Sequence, residues 1–314
     1  MDKKDFKIVF FGTPEFAVAS LDRLVRAGYD IAAVVTMPDK IAGRGHKLIK
    51  SDVKVYAEQH GLRLLQPEKL KSEEFVRTLR EINADLFIVI AFRMLPEVVW
   101  SMPRLGTFNL HASLLPKYRG AAPINRAIMN GETETGITTF FLKHEIDTGD
   151  MIEQRSIEIS PVDNAGTIHD RLMLLGADMV ESTVRNIVMG KVKTVPQPEG
   201  EFISAPKIFR EDCQIDWTRS AREINDQIRG LSPYPAAFTT IIEETGKEIT
   251  AKILKAKPVD TDDSCVPGQI IVQGKRMMVA TGAGFIEILS LQPAGKKPME
   301  ASAFLAGYHP EKAV

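Results

Sequence analysis

Cysteine is scarce in this chain: two in 314 residues, Cys213 and Cys265, far apart and outside any Cys-x-x-Cys or Cys/His spacing. That excludes a disulfide framework and a zinc module. No excess of one charge exists either; the formal net charge is -1, so nothing draws the whole molecule toward nucleic acid or anionic lipid. A polyanion would have to be met by a local basic patch. The longest apolar run, "LFIVIAF" at 86–92, falls far short of the roughly 20 residues that span a bilayer. The opening "MDKKDFKIVFFG" has no apolar signal region, so the expectation is a reduced cytoplasmic protein. Also missing is the glycine pattern of a dinucleotide site, because Gly12 is followed by Thr-Pro-Glu, which disfavours a nicotinamide dehydrogenase.

What is present is β-α-β alternation over the first half. "KIVFFG" (7–12), "IAAVVT" (31–36) and "ADLFIVIAF" (84–92) have the continuous apolarity of buried parallel strands. After the first, Thr13 as N-cap, Pro14 at the first helical position and Gly28 at the end delimit a helix facing inward with Leu21, Leu24 and Val25. Residues 51–60 read as helix, "GTFNLHAS" as a short strand, "APINRAIMNG" as a short helix and "GITTFFL" (136–142) as a strand. This is the pattern of a doubly wound α/β sheet. A long helix over about 167–190 follows, with Ile168, Leu172, Leu175 and Met179 on one face and Gly190 closing it. "KVKTVPQPEGEFISAPK" carries three prolines and reads as a linker. The rest reads as one helix, "SAREINDQIRG", and short strands, with three in "GQIIVQGKRMMVATGAGFIEILSLQ" (268–292), which suits a small β-barrel. The expected division is 1–190 for the α/β domain, 191–208 for the linker and 209–314 for the barrel.

The chemistry-bearing stretch is "FNLHASLLPKYRGAAPI" (108–124). Asn109 and His111 are two apart on a strand, so their side chains point the same way, and ligands of open α/β sheets gather beyond the carboxyl ends of strands. Asn109 offers N–H donors to a developing oxyanion, and His111 moves protons near neutral pH. "HEIDTGDM" (144–151) supplies the carboxylate to orient the imidazole, with Asp147 and Asp150 as candidates. With no serine or cysteine nucleophile beside them, this set suits a substrate that brings its own nucleophile. An α-amino group, with a pKa near about 8, does so at cellular pH.

"FNLHASLLPKYRGAAPINRAIMNGETETGIT" with "DTGDM" resembles the formyltransferases that use 10-formyltetrahydrofolate, and "FFGTPEFA", "PDKIAGRGHKL", "IRGLSPYP" and "SLQPAGKKPM" extend the likeness over about residues 6 to 300. The resemblance implies a Rossmann-like formyltransferase domain followed by an OB-like barrel. It implies formyl transfer from 10-formyltetrahydrofolate, with no metal, to the α-amino group of methionyl initiator tRNA, by a monomer that needs no membrane. Asn109, His111 and Asp147 would be the catalytic trio, and Ser113, Leu114, Leu115 and Pro116 the folate-contacting loop. The basic segment "TMPDKIAGRGHKLIKSDVK" (36–54), with Lys40, Arg44 and Lys47, would reach the tRNA acceptor arm, and Lys207, Lys296 and Lys297 would extend that track across the barrel. Arg93 stands in a loop (91–99), one residue short of the family's pattern, that would border the folate pocket. The rivals that remain are a formyltransferase for a small amine and a non-catalytic RNA-binding protein of the same fold.

Overall fold

A computed structural model describes residues 6–42, 47–200, 202–259 and 266–314. In chain order the elements are β1 (Lys7–Gly12), α1 (Glu15–Arg26), β2 (Asp30–Val35), β3 (Lys40–Ala42), β4 (Lys47–Ile49), α2 (Asp52–Gln59), β5 (Leu64–Leu65), α3 (Glu73–Ile82), β6 (Leu86–Ile90), α4 (Glu97–Trp100), β7 (Thr107–His111), β8 (Arg119–Gly120), α5 (Pro123–Met129), β9 (Glu134–Phe141), β10 (Met151–Glu158) and α6 (Ala165–Val188). Then come β11 (Ser204–Ala205), α7 (Ala221–Leu231), β12 (Ala237–Glu243), β13 (Glu248–Val259), β14 (Ile270–Gln273), β15 (Arg276–Ala280), β16 (Phe285–Pro293), β17 (Met299–Glu300), α8 (Ala301–Leu305) and β18 (Pro310–Ala313).

The chain divides into two compact units, and the division is not contiguous. One comprises residues 1–120, 136–157 and 169–204; the other comprises 121–135, 158–168 and 205–314. Thus α5 and the segment around 158–168 belong with the later part of the chain, although they precede the proline-rich stretch.

In the first unit the sheet order is β10-β9-β7-β6-β1-β2-β5. The chain runs from β1 outward through β2 to β5, then returns to build β6 and β7 on the other side of β1. The pairs from β5 through β7 are parallel, and β9 runs antiparallel to β7. This is the doubly wound sheet the alternation predicts. Its inner strands bury nearly every side chain, as expected with both faces covered: Ile8, Val9, Phe10 and Phe11 are fully buried, as are Leu86, Ile88 and Ile90. Helix α6 is laid on β7 at Gly176, where a Cβ would stand 2.7 Å from Leu110 Cδ2.

The start of α1 departs from the sequence expectation by one residue. Pro14, extended with ψ 174°, is the N-cap, no side chain caps the helix, and Glu15 is its first residue. Thr13 is drawn elsewhere: its carbonyl accepts from the Val53 N–H at 3.3 Å, which ties the end of β1 to α2. The positive φ expected of Gly28 and Gly190 at the ends of α1 and α6 is present, at 79° and 67°.

The second unit is an antiparallel barrel in the order β14-β15-β16-β13-β12-β18. The ends close through a bridge between Gln269 and Lys312 and an Ala313 N–H to Gly268 carbonyl bond of 2.7 Å. Helix α7 contributes Ile224, Ile228 and Leu231 to a core shared with Ile253, Met277, Ile286 and Phe304. These contacts shorten the open edge between β14 and β18, which would otherwise invite aggregation.

Candidate active site

Strand β7 carries Asn109 and His111 between two neighbours that fix their height. Asn109 is level with Val89 of β6 and Phe140 of β9, and His111 with Thr138 of β9. Leu110, on the opposite face, meets α6, so the face with Asn109 and His111 is settled by packing behind it. Asn109 is half-buried, and its carboxamide takes no hydrogen-bond partner among the described residues. His111 is buried, and its Nε2 lies 2.9 Å from the Tyr118 carbonyl oxygen. A carbonyl only accepts, so Nε2 holds the hydrogen and Nδ1 of the neutral ring is left with a lone pair. Tyr118 makes this contact from a left-handed backbone, φ 62°, while its N–H donates to the Ile203 carbonyl at 2.6 Å.

The two acidic candidates separate cleanly. Asp150 pairs with Lys143 at 2.7 Å. Asp147 turns the other way: its Oδ2 accepts from the Gly120 N–H at 2.9 Å and lies 3.8 Å from His111 Nδ1. That spacing suits an ion pair when the ring is protonated. Asp147 reaches it from φ 54°, a conformation that aspartate tolerates better than most residues. Two residues on, Gly149 passes so close to β9 that a Cβ there would stand 1.5 Å from the Phe141 carbonyl oxygen. Any side chain would push this loop off the sheet.

Residues 113–116 form a tightly pinned turn. Thr138 Oγ1 donates to the Ser113 carbonyl at 2.7 Å and accepts from the Leu115 N–H at 3.2 Å. Gln154 Nε2 donates both to Thr138 Oγ1, at 2.9 Å, and to the Leu115 carbonyl, at 3.0 Å. The Ser113 hydroxyl turns inward to the Lys117 carbonyl at 2.7 Å. Leu115 is buried, and Leu114 and Pro116 are half-buried. A Cβ at Gly136 would stand 2.2 Å from the Arg155 carbonyl oxygen and 2.5 Å from Leu114 Cδ2, so a glycine is required between β10 and this turn. Tyr118, Thr138, Gln154, Arg119 and Gln197 are thus parts of the site that sequence reasoning passed over. Only the paired threonines of "GITTFFL" and the glutamine between two prolines hint at them.

The Formyl transferase family pattern matches residues 6–184, and its C-terminal domain pattern matches residues 207–309. The chain belongs to the formyl transferase family. Formyl transferase relatives at high identity are named Methionyl-tRNA formyltransferase. That of Bacteroides fragilis is 56% identical over 98% of this chain and 97% of its own length, and that of Bacteroides thetaiotaomicron 53% identical over 98% and 97%. Among solved structures, the fold is shared with WlaRD, a sugar 3N-formyl transferase, at TM-score 0.64 and 21% identity over 93% of this chain and 99% of that one. It is shared too with HypX from Aquifex aeolicus in complex with tetrahydrofolic acid, at TM-score 0.63 and 18% identity over 95% and 46%.

In this formyl transferase the basic segment splits by role. Lys54, largely buried, pairs with Asp39 at 2.7 Å, and Gln66 bonds both Asp39 and the Met37 carbonyl at 2.9 Å. The Lys54 and Gln66 bonds hold the Asp39 carboxyl below the usual carboxylate range. Lys50 pairs with Glu58 at 2.7 Å, which lowers the Glu58 pKa and raises that of Lys50. These two lysines anchor the foot of a short hairpin in which β3 and β4 pair antiparallel, Lys40 opposite Ile49. Lys40 is exposed, Lys47 lies on β4, and Arg44 lies outside the described residues. In the second unit Lys207 is exposed, its ammonium 5.6 Å from the Phe209 ring centroid, and Lys296 and Lys297 are exposed in the turn after β16.

Arg93 closes on its own unit. It donates to the carbonyls of Glu68, at 2.9 Å, and Pro67, with its guanidinium 5.7 Å from the Phe92 ring, and burial lowers its pKa. Among the described residues, no group of His, Cys, Asp and Glu could hold a metal, and no helix is long and apolar enough to cross a membrane.

Proposed function

We propose that the chain transfers the formyl group of 10-formyltetrahydrofolate to the α-amino group of methionyl initiator tRNA, for translation initiation. The observation that carries this reading is the meeting of Asn109, His111 and Asp147 at one strand end, in a chain whose near relatives share one named activity. No side chain here needs to be the nucleophile, because the methionyl amine is one. As its nitrogen bonds to the formyl carbon, the carbonyl oxygen takes the negative charge and Asn109 donates to it. A donor placed for that oxyanion is worth roughly 3–4 kcal/mol of barrier.

His111 Nδ1, held proton-free by the Tyr118 carbonyl, takes the proton that the attacking nitrogen sheds. The imidazolium so formed is stabilised by Asp147. Collapse breaks the bond from the formyl carbon to the folate nitrogen, and the same proton goes to that nitrogen. Formyl methionyl-tRNA and tetrahydrofolate result, with no net change in the protein.

Leu114 and Pro116 suit apolar contact with the flat folate ring system. Ser113 and Leu115, whose polar groups are spent on Lys117, Thr138 and Gln154, hold the turn in place. The Arg93 loop, fastened to Pro67 and Glu68, supplies a fixed neighbouring wall. Lys40, Arg44 and Lys47 meet the acceptor arm, and Lys207, Lys296 and Lys297 meet its backbone, since ammonium and guanidinium groups neutralise phosphates without reading sequence. The protein acts in the cytoplasm as a monomer.

The test is formyl transfer from 10-formyltetrahydrofolate to methionylated initiator tRNA, methionylated elongator tRNA and glycinamide ribonucleotide. Strong preference for the initiator is expected. Transfer to the small amine alone would overturn the tRNA assignment, and transfer to none would leave an RNA-binding protein of this fold.

A further inference from the structure

Asp147 sits in a loop whose local bonds hold its ends: the Thr148 hydroxyl donates to the Glu145 carbonyl at 3.1 Å, and the Phe141 N–H to the Asp150 carbonyl at 3.1 Å. The Asp147 carboxylate accepts one backbone N–H, its backbone is left-handed, and the nearby Asp150 is tied to Lys143 at the loop's far side. What fastens the Asp147 and Gly149 carbonyls comes from a distant part of the chain. Gln197, in the proline-rich stretch after α6, donates through Nε2 to the Asp147 carbonyl at 2.8 Å and to the Gly149 carbonyl at 2.9 Å. One amide nitrogen thereby satisfies the carbonyl of the catalytic aspartate and that of the glycine two residues on.

The orientation of that amide is itself enforced. Arg119 donates to Gln197 Oε1 from Nε, at 3.1 Å, and from Nη2, at 2.6 Å. A guanidinium only donates, so the oxygen must face it and the nitrogen must face the loop. The backbone close by is latched as well: Val195 and Met151 exchange both N–H to carbonyl bonds, at 2.9 and 2.8 Å. Arg119 precedes Gly120, whose N–H holds the Asp147 carboxylate. One clamp therefore grips Asp147 at its carboxylate and at its carbonyl.

We infer that Gln197 is a positioning residue for the transfer step, setting the place of Asp147 against His111 through the two loop carbonyls. Its amide is spent on Arg119 and the loop backbone, so it acts through Asp147. The inference rests on the role given to Asp147 under the proposed function. Its chemical signature is the requirement for a donor. Glutamate at 197 keeps the size and still accepts from Arg119, yet turns an oxygen toward two carbonyl oxygens. If the residue merely stitched the stretch to Arg119, Gln197→Glu would be the harmless change.

The experiment measures kcat, the KM for methionylated initiator tRNA and the thermal midpoint for Gln197→Ala, Gln197→Glu and Asp147→Asn in the full chain. The expected result is a fall in kcat of about tenfold to a hundredfold in both Gln197 variants, the glutamate at least as impaired as the alanine. KM should stay within about threefold and the alanine variant's midpoint close to native. Native kcat in Gln197→Glu, or a rise in KM with kcat held, overturns the inference. So does a loss of kcat that follows only a collapse of the midpoint in both variants. Asp147→Asn separates the two levels: if it keeps native kcat, the role of Asp147 itself fails, whereas if it loses activity and the Gln197 variants do not, only the positioning claim fails.

Discussion

At the scale of single residues, the site depends on groups that are cheap to name and hard to place. Asn109 and His111 were readable because alternation on a strand is a rigid rule, and β7 obeys it. By strand position alone either Asp147 or Asp150 fits, and only the family resemblance selects Asp147; the structure ties Asp150 to Lys143 and brings Asp147 to 3.8 Å from His111 Nδ1. Gln197 gives only the faint hint of a glutamine between prolines, because the loop carbonyls it bonds lie 50 and 48 residues away and Arg119 lies 78 away. Gly149 offers a direct check on the loop. With a Cβ 1.5 Å from the Phe141 carbonyl oxygen, Gly149→Ala must displace backbone rather than a flexible side chain. We expect kcat to fall at least tenfold with little change in tRNA affinity; native turnover in this variant would mean the loop's place is immaterial.

Elements were legible in proportion to how much of their pattern is local. Helix α7 was marked by "SAREINDQIRG", and its capping box is complete: Ser220 Oγ accepts from the Glu223 N–H at 3.3 Å, and Glu223 accepts from the Ser220 N–H at 3.0 Å. A Thr-Pro pair fits two registers at the start of α1, and the extended Pro14, its carbonyl accepting from the Ala17 N–H at 2.9 Å, selects the later one. The β3–β4 hairpin was missed altogether, for its foot is made by Lys54, Asp39 and Gln66, which come together only in three dimensions.

Ser220→Ala should cost about 1 kcal/mol, read as a drop of a few degrees in the thermal midpoint. Hydrogen bonds from Ser220 and then Arg219 hold the Glu223 carboxyl down at about 2, below its ordinary 4.5. Its contribution is therefore complete above pH 4.5 and is lost as the pH falls through about 2. Midpoints followed from pH 5 to 2 should show the gap between the native protein and Ser220→Ala narrowing at the acid end, as the bond from Ser220 Oγ to the Glu223 carboxylate is lost while its bond from the Glu223 N–H remains. A constant gap would mean that the Glu223 carboxylate contributes nothing to the cap.

For the whole molecule, a net charge of -1 leaves no general attraction for RNA, so any affinity must come from a few cations on a nearly neutral body. Lys50 and Lys54 are engaged in ion pairs, which leaves Lys40, Arg44 and Lys47 as the candidates of the 36–54 segment. Arg44→Ala should raise the KM for initiator tRNA with kcat held. For each phosphate no longer neutralised, the dependence of log affinity on log salt should flatten by roughly 0.7–0.9. Unchanged KM and slope would remove this segment from tRNA binding. The α/β alternation and the barrel's hairpins were legible at this scale because they follow periodicity. The discontinuous division was not, because nothing local marks α5 and residues 158–168 as belonging with the barrel.

Asn109 is proposed to act on the developing oxyanion and not on the bound substrates. That role is tested most directly by single-turnover formyl transfer to methionylated initiator tRNA by Asn109→Ala, with both substrates saturating and the tRNA dissociation constant measured alongside. The account predicts a rate lower by about 10²–10³ with tRNA affinity nearly unchanged. Equal losses of rate and affinity, or a native rate, would contradict it.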